Sequence, residues 1–242
     1  MRVAPRKPDD TRLHGRGAMS VAVLSFGGSN CDRDVVKALG RIDVPAEVVW
    51  YKDEDEVSDA EAVVLPGGFS YGDYLRAGAM AARTPVMNRV RGHVEEGAPV
   101  LGICNGAQIL CEADIVQGAY APNESAKFQC EPVHLRVETT DTPFARAFDE
   151  GDVIEVPIAH AEGRYVPDNL DKLLDNDRVL FRYVNENGEP TDEANPNGSV
   201  DNIAGVVGET RNVAVMMPHP ERASHESLGS DDGLGILAGF EN

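Results

Sequence analysis

One cysteine stands in a sequence frame that suits a nucleophile. Cys104 is the centre of a Gly-x-Cys-x-Gly motif at 102–106, after an apolar run and before helix-compatible residues. The flanking glycines allow a sharp strand-to-helix turn that exposes a nucleophile. At a helix N-terminus, unpaired N–H groups and the helix dipole favour a thiolate and could hold an oxyanion. The alternative, a buried structural cysteine, is common but does not need this frame.

His219 is the best candidate for a base among the six histidines. It follows the predicted buried strand 213–217, in the tetrapeptide Pro-His-Pro-Glu at 218–221. Because the second proline disfavours a helical conformation for the residue before it, we expect an extended segment in which His219 and Glu221 point to the same side. The carboxylate could then orient the imidazole while its other nitrogen faces Cys104. A surface turn with incidental charges is the alternative that this segment alone leaves open.

Short apolar runs alternate with helical spacing and indicate the elements that position these groups. This alternation predicts an α/β fold with a doubly wound, mostly parallel sheet and helices on both faces. The predicted strands of this part are 21–26, 44–50, 62–65 and 100–103, and the predicted helices include 32–39 and 86–94. From 117 to 200, alternating strand-like pieces at 133–137, 153–158 and 180–184 are expected to extend the sheet and carry binding loops. Ligands of such sheets bind at the carboxyl ends of the strands.

Length and composition favour one large α/β domain. The 242 residues are 42% hydrophobic, which suffices for a substantial core. Residues 1–18 carry five basic and two acidic residues without apolar periodicity, so we expect a disordered basic extension before a domain at 19–242. The chain has a polar start and no apolar run of the roughly 18 residues that a membrane span needs, so we expect a cytoplasmic protein without membrane association. The four cysteines lack metal-binding spacing, so no metal site is predicted.

The net charge of −19 has two interpretations. It could form an acidic face for a basic partner, or it could mark a protein adapted to high salt. Only five of the 22 basic residues are lysines and the acids are spread along the chain, which favours the halophilic interpretation. Such a surface repels the phosphate backbone, so nucleic-acid binding is not expected. The Gly-Gly-Ser-Asn loop at 27–30 lacks a Walker lysine or a G-x-G-x-x-G frame, so it is weak support for nucleotide binding in this chain.

Together, the segments 102–108 (GICNGAQ) and 218–221 (PHPE) resemble the class I, or triad, glutamine amidotransferases, whose fold is flavodoxin-like. Within that family, further segments resemble glutaminase subunits of purine biosynthesis, and the likeness runs from about Met19 to the C-terminus. These segments are 66–74 (PGGFSYGDY), 28–32 (GSNCD), 159–163 (AHAEG) and 197–199 (NGS). Ala107 and Ala161 depart from the family pattern, but neither position carries a reacting group.

The resemblance implies that this chain hydrolyses L-glutamine with a catalytic triad of Cys104, His219 and Glu221. It also implies that the N–H groups of Gly68 and Asn105 form the oxyanion hole. Each of these residues is present in the motifs given above. No metal or cofactor is implied for the thiol site itself.

The resemblance further implies a glutamine-binding segment around His160 and Glu162. These two residues could instead form a rival Cys-His-Glu set with Cys104, but we assign them to substrate contact. Gln108 lies one helical turn past Cys104 and can reach a bound amino acid from the same side. Of the remaining histidines, His134 is expected to be structural, and those expected to face solvent are His14, His93 and His225.

The resemblance implies partners for this chain. Ammonia would pass to a separate large synthetase subunit that uses ATP and Mg, aided by a small third subunit, and the isolated chain would be a poor glutaminase. Two other classes of function stay open. The chain could be a cysteine hydrolase or peptidase, or an interaction subunit with a degenerate site, although its intact Cys, His and Glu argue against the latter.

Overall fold

The computed structural model describes residues 20–241. The predicted extension 1–18 and His14 lie outside the described residues, so the division of the chain at residue 19 stays a proposal. The strands are β1 (Val21–Ser25), β2 (Ala46–Trp50), β3 (Ala62–Leu65), β4 (Val100–Ile103), β5 (Ala119–Ala121), β6 (Gln129–Val137), β7 (Val153–His160), β8 (Arg164–Val166), β9 (Val179–Val184), β10 (Ile203–Val207) and β11 (Val213–Met216). The α-helices are α1 (Asp32–Gly40), α2 (Glu54–Asp59), α3 (Val86–Glu95), α4 (Asn105–Glu112), α5 (Leu170–Asp175) and α6 (Gly233–Leu237).

A nine-stranded sheet with the order β2-β1-β3-β4-β11-β10-β9-β6-β7 organises these elements. The five strands from β2 to β11 are parallel. From β11 onward the neighbours are antiparallel, and this half contains the predicted extension of the sheet. Strands β5 and β8 form a separate antiparallel pair. The predicted α/β fold class, a doubly wound sheet with flanking helices, is confirmed.

The parallel half is built from nearly uninterrupted apolar strands. Every residue of β1, β3, β4 and β11 is buried, as expected for strands covered on both faces. Helix α1 contributes an apolar side of Val35, Ala38 and Leu39 to this core. Three strands, β3, β4 and β11, lie side by side and parallel, so their carboxyl ends open at the same edge. No helix within residues 20–241 combines the length and apolar character needed to cross a membrane.

The extended conformation predicted for 218–221 is wrong in its second half. Pro220–Arg222 forms a 3₁₀ turn, and only His219, with φ −105° and ψ 88°, is non-helical. Proline disfavours the helical region for the residue before it, but its own fixed φ suits the first position of a helical turn.

The solvent-facing position predicted for His93 is also wrong. His93 is buried on α3, where its Nε2 lies 2.8 Å from the carbonyl oxygen of Val57. The reason is the phase of α3, because His93 shares the buried side of this helix with Val86 and Val90. His225 is exposed, as predicted, and His134 is half-buried on β6 beside Glu155.

Candidate active site

The predicted strand-to-helix turn lies at Cys104, between the last residue of β4 and the first of α4. Cys104 has φ 51° and ψ −108°, a conformation that non-glycine residues rarely adopt and that stores backbone strain. Its N–H donates to the carbonyl of Met216 (2.8 Å) and its carbonyl accepts from the N–H of Gln108 (3.1 Å). These bonds to β11 and α4 hold the thiol at the carboxyl edge of the sheet.

The two glycines of the motif permit close packing around the turn. A Cβ on Gly106 would lie 1.9 Å from the carbonyl oxygen of Leu65, and a Cβ on Gly102 would lie 2.8 Å from the carbonyl oxygen of Gly106. Real Cβ atoms do not approach so closely, so α4 can rest on β3 only because both positions lack a side chain. The sequence argument for these glycines is confirmed.

His219 and Glu221 form a buried pair beside the thiol. The imidazole Nδ1 donates to Oε1 of Glu221 at 2.6 Å, and the His219 N–H donates to the carbonyl of Pro157 at 2.8 Å. Burial opposes a positive charge on the imidazole, but the negative charge of Glu221 and the proximity of Cys104 outweigh it and hold the pKa of His219 well above its usual value. Among the described residues, no hydrogen-bond partner lies within range of Nε2. This nitrogen is therefore free to exchange a proton.

Two backbone N–H groups are available beside Cys104. Among the described residues, neither the Gly68 nor the Asn105 N–H donates a hydrogen bond. Gly68 follows β3 and has φ +155°, and a Cβ there would lie 2.6 Å from the carbonyl oxygen of Gly28. Asn105 is the first residue of α4, where N–H groups have no intrahelical partner. The two groups meet the chemical requirement for an oxyanion hole.

A hydrogen-bonded network of side chains connects three loops around the site. Asn105 accepts from the N–H of Ser70 (3.0 Å) and donates to Gln108 (2.9 Å), whose Nε2 donates to the carbonyl of Glu162 (2.7 Å). Asp73 lies 3.5 Å from the Asn105 amide, and burial together with the negative charge of Glu162 raises the pKa of Asp73 to about 6. The sequence argument gave Ser70 and Asp73 no role, although both lie in the motif at 66–74.

His160 lies in a second, amide-rich part of the site wall. Its Nδ1 is 3.0 Å from Oδ1 of Asn123, and its Nε2 is 3.4 Å from Nδ2 of Asn197. Burial and the charge of His219 lower the pKa of His160 to about 4. With both ring nitrogens facing amides, His160 is a poor base for Cys104, which disfavours the rival set. The sequence argument missed Asn123 and Asn197 as its partners, although Asn197 lies in the motif at 197–199.

One group among the described residues has three potential metal ligands within 4.8 Å of one another, namely Cys31, His219 and Glu221. The imidazole Nδ1 of His219 is hydrogen-bonded to Glu221. Two of the three residues are therefore the proposed catalytic pair itself, and their geometry is explained without a metal.

Comparison with known proteins places this site in a family. Residues 18–231 match the model of a CobB/CobQ-like glutamine amidotransferase domain. Phosphoribosylformylglycinamidine synthase subunit PurQ of Natronomonas pharaonis is 58% identical over 224 residues, which cover 92% of this chain and 100% of that protein. The protein of the same name from Methanosarcina barkeri is also 58% identical, over 90% of this chain and 95% of its own length.

Solved structures agree with the sequence relatives. A chain in the structure of PurLQS from Thermotoga maritima has a TM-score of 0.82 and 42% identity, with 92% of this chain and 97% of that chain covered. A GMP synthase component from Thermoplasma acidophilum, with a TM-score of 0.60 and 17% identity over 92% of each chain, shares the fold. The resemblance drawn from the motifs is confirmed: the chain belongs to the glutamine amidotransferase family, among the relatives of the PurQ subunits of phosphoribosylformylglycinamidine synthase.

Proposed function

We propose that this chain is the glutaminase subunit (subunit I) of a phosphoribosylformylglycinamidine synthase. It hydrolyses the side-chain amide of L-glutamine and supplies ammonia to an ATP-dependent synthetase subunit in purine biosynthesis. The observation that carries the proposal is the strained Cys104 at the start of α4, beside a His219 that is oriented by Glu221. The family match over nearly the whole chain supports the same function.

In the first half of the reaction, the Cys104 thiolate attacks the amide carbon of glutamine. The N–H groups of Gly68 and Asn105 stabilise the oxyanion that develops on the amide oxygen. His219 then gives a proton from Nε2 to the departing nitrogen, so ammonia leaves and a thioester to Cys104 remains. The unpartnered state of Nε2 supports this role.

In the second half, His219 removes a proton from water, which attacks the thioester carbon. The same oxyanion hole serves again, glutamate leaves, and the Cys104 thiolate and the protonated imidazole are restored. Glu221 stays ionised and holds the imidazole with Nδ1–H toward it, so that Nε2 faces the reacting atoms.

The proposed substrate residues are Gln108, Glu162 and His160. Gln108 and Glu162 are connected by a hydrogen bond, and the network around Asn105 places them beside the thiol. His160 is buried and surrounded by amides, so in this proposal it shapes the wall that receives the amino acid. None of these contacts needs a cofactor, and ATP and Mg belong to the partner subunit.

The proposed partners are a large synthetase subunit together with a small third subunit, because the related Thermotoga maritima chain comes from a structure of PurLQS. An exposed apolar loop supports a protein partner at the mouth of the site. Tyr74 is 73% and Leu75 89% exposed, and the same loop carries the Ser70 N–H that is bonded to Asn105. Exposed apolar side chains that cluster in this way are typical of interaction sites.

The decisive test measures ammonia release from glutamine by the purified chain in high salt, with and without the co-expressed synthetase subunit. We expect partner-dependent release that Cys104→Ala abolishes and that Cys130→Ala, at an exposed cysteine, leaves unchanged. Glutamine-independent cleavage of peptides would favour the peptidase alternative. A folded chain that releases no ammonia in either setting would refute the proposal.

Leu75→Ser tests the partner surface, with Leu228→Ser as the matched control at a 54% exposed leucine. We expect Leu75→Ser to weaken association with the synthetase subunit by about tenfold, since a buried leucine contributes about 1.5 kcal/mol or more, and the control to bind normally. Equal binding by both variants, measured by sedimentation, would place the synthetase elsewhere.

A further inference from the structure

A second cysteine lies against the proposed catalytic pair. Cys31 precedes the first residue of α1 and is only 1% exposed. Its sulfur lies within 4.8 Å of a ring nitrogen of His219 and of a carboxylate oxygen of Glu221. A Cβ on Gly67 would lie 2.6 Å from Cε1 of His219 and 3.2 Å from Sγ of Cys31. The glycine at 67 therefore leaves the space in which this thiol and the imidazole approach each other.

The Cys31 thiol also holds a charged group in place. Nη2 of Arg222 donates to Sγ of Cys31 at 3.2 Å, and the thiol itself donates to Oδ1 of Asn30 at 3.2 Å. Nε of Arg222 lies 3.9 Å from Oε1 of Glu221. The Arg222 side chain is 37% exposed, so without an anchor its long chain can extend into solvent.

The position of Arg222 matters for the base. The titratable and charged groups that act on His219 come from the elbow, the start of α1, the end of β7 and the 3₁₀ turn, and they are Cys104, Cys31, His160, Glu221 and Arg222. Glu221 stabilises the protonated imidazole, whereas a guanidinium beside Glu221 opposes that effect. An imidazole that is protonated too firmly cannot take a proton from water during hydrolysis of the thioester.

We propose that Cys31 is a positioning residue whose thiol fixes Arg222 beside Glu221 and thereby limits the basicity of His219. The inference rests on the proposed function, since it assigns His219 the role of a base. Cys31 does not touch the substrate in this proposal. It acts through Arg222, and a full charge displaced from the pair changes the imidazole more than the loss of a neutral thiol contact does.

The test is a double-mutant cycle of Cys31→Ala and Arg222→Gln, with the glutaminase rate of the synthetase complex measured from pH 5 to 9. We expect each single variant to move the acid limb of kcat upward by about 0.5 to 1 pH unit with KM unchanged, and the double variant to show no further shift. Cys31→Ser keeps a donor and an acceptor and should follow the unchanged chain. Cys130→Ala is the control for removal of a cysteine.

A second readout does not depend on glutamine hydrolysis. NMR titration of His219 in the full chain should show that Cys31→Ala and Arg222→Gln retain the imidazole proton to higher pH by the same amount. Superimposable titrations of unchanged and variant chains, or additive shifts in the double variant, would overturn the inference. Failure of the unchanged complex to release ammonia would instead refute the proposed function. Should Cys31→Ala not fold, the comparison of Cys31→Ser with Arg222→Gln decides.

Discussion

The Gly68 N–H depends on a backbone conformation that only glycine adopts readily. At φ +155°, a side chain would be strained, and its Cβ would lie 2.6 Å from the carbonyl oxygen of Gly28. We expect Gly68→Ala to lower kcat by about 100-fold or more, the usual cost of one oxyanion donor. The control is Gly27→Ala, where a Cβ meets only one atom, at 4.0 Å, and which should keep full activity. A fully active Gly68→Ala complex would remove this residue from the oxyanion hole.

Asp73 offers a pH-dependent test of the same loop. Burial and the charge of Glu162 raise its pKa to about 6 from 3.8, so the folded chain binds more protons than the unfolded chain between these values. Stability contributed by the protonated carboxyl is therefore lost as pH rises from about 4 to about 6. Asp73→Asn should gain about 1 kcal/mol relative to the unchanged chain across this window, after allowance for solvent screening.

Urea unfolding at pH 4.5 and pH 7 measures this difference for Asp73→Asn. The exposed Asp59→Asn on α2 is the matched control and should show no such gain. A relative stability of Asp73→Asn that does not change with pH would contradict the assigned environment of Asp73.

At the scale of elements, the contact of α4 with β3 decides whether the elbow forms. Gly106→Ala would place a Cβ 1.9 Å from the carbonyl oxygen of Leu65, so we expect a loss of about 3 kcal/mol of stability from overpacking. Gly92→Ala is the matched control inside α3, where a Cβ would have no atom within 4 Å. It should stabilise the chain by about 0.5–1 kcal/mol through helix propensity. Equal urea midpoints for both variants would disprove the packing argument.

The elements themselves could largely be predicted, because local patterns determine them. The apolar run 62–65 predicted β3 to the residue, and the Gly-x-Cys-x-Gly frame predicted the turn at Cys104. The phase of α3 could also have placed His93, which is three residues after the buried Val90.

The contacts around the site could not be predicted in the same way, because they join distant parts of the chain. The bond from Ser70 to Asn105 spans 35 residues and that from Gln108 to Glu162 spans 54. The contact of Arg222 with Cys31 spans 191 residues. The pairing of His219 with Glu221 was predicted from an extended segment, yet a 3₁₀ turn at Pro220–Arg222 produces it. The pair was right although half of its predicted backbone was not.

At the scale of the whole molecule, the charge of −19 sets the conditions under which these elements stay together. Like charges spread over one surface repel one another and oppose the compact state. Salt screens this repulsion, since the Debye length falls from about 10 Å at 0.1 M to about 3 Å at 1 M. Relatives from Natronomonas pharaonis and Halobacterium salinarum, each 58% identical, fit the halophilic interpretation.

We therefore expect the thermal midpoint to rise by roughly 5–10 °C between 0.1 M and 3 M KCl, which corresponds to about 2–3 kcal/mol for a chain of this size. A triple variant, Glu150→Gln, Glu186→Gln and Glu193→Gln, replaces three exposed carboxylates and changes the charge from −19 to −16. It should be more stable than the unchanged chain in low salt and gain less from KCl, because less repulsion is left to screen. Since glutamine keeps the size of glutamate, packing changes do not explain such a difference. A midpoint that is the same in low and molar salt would show that the carboxylates serve a basic partner instead.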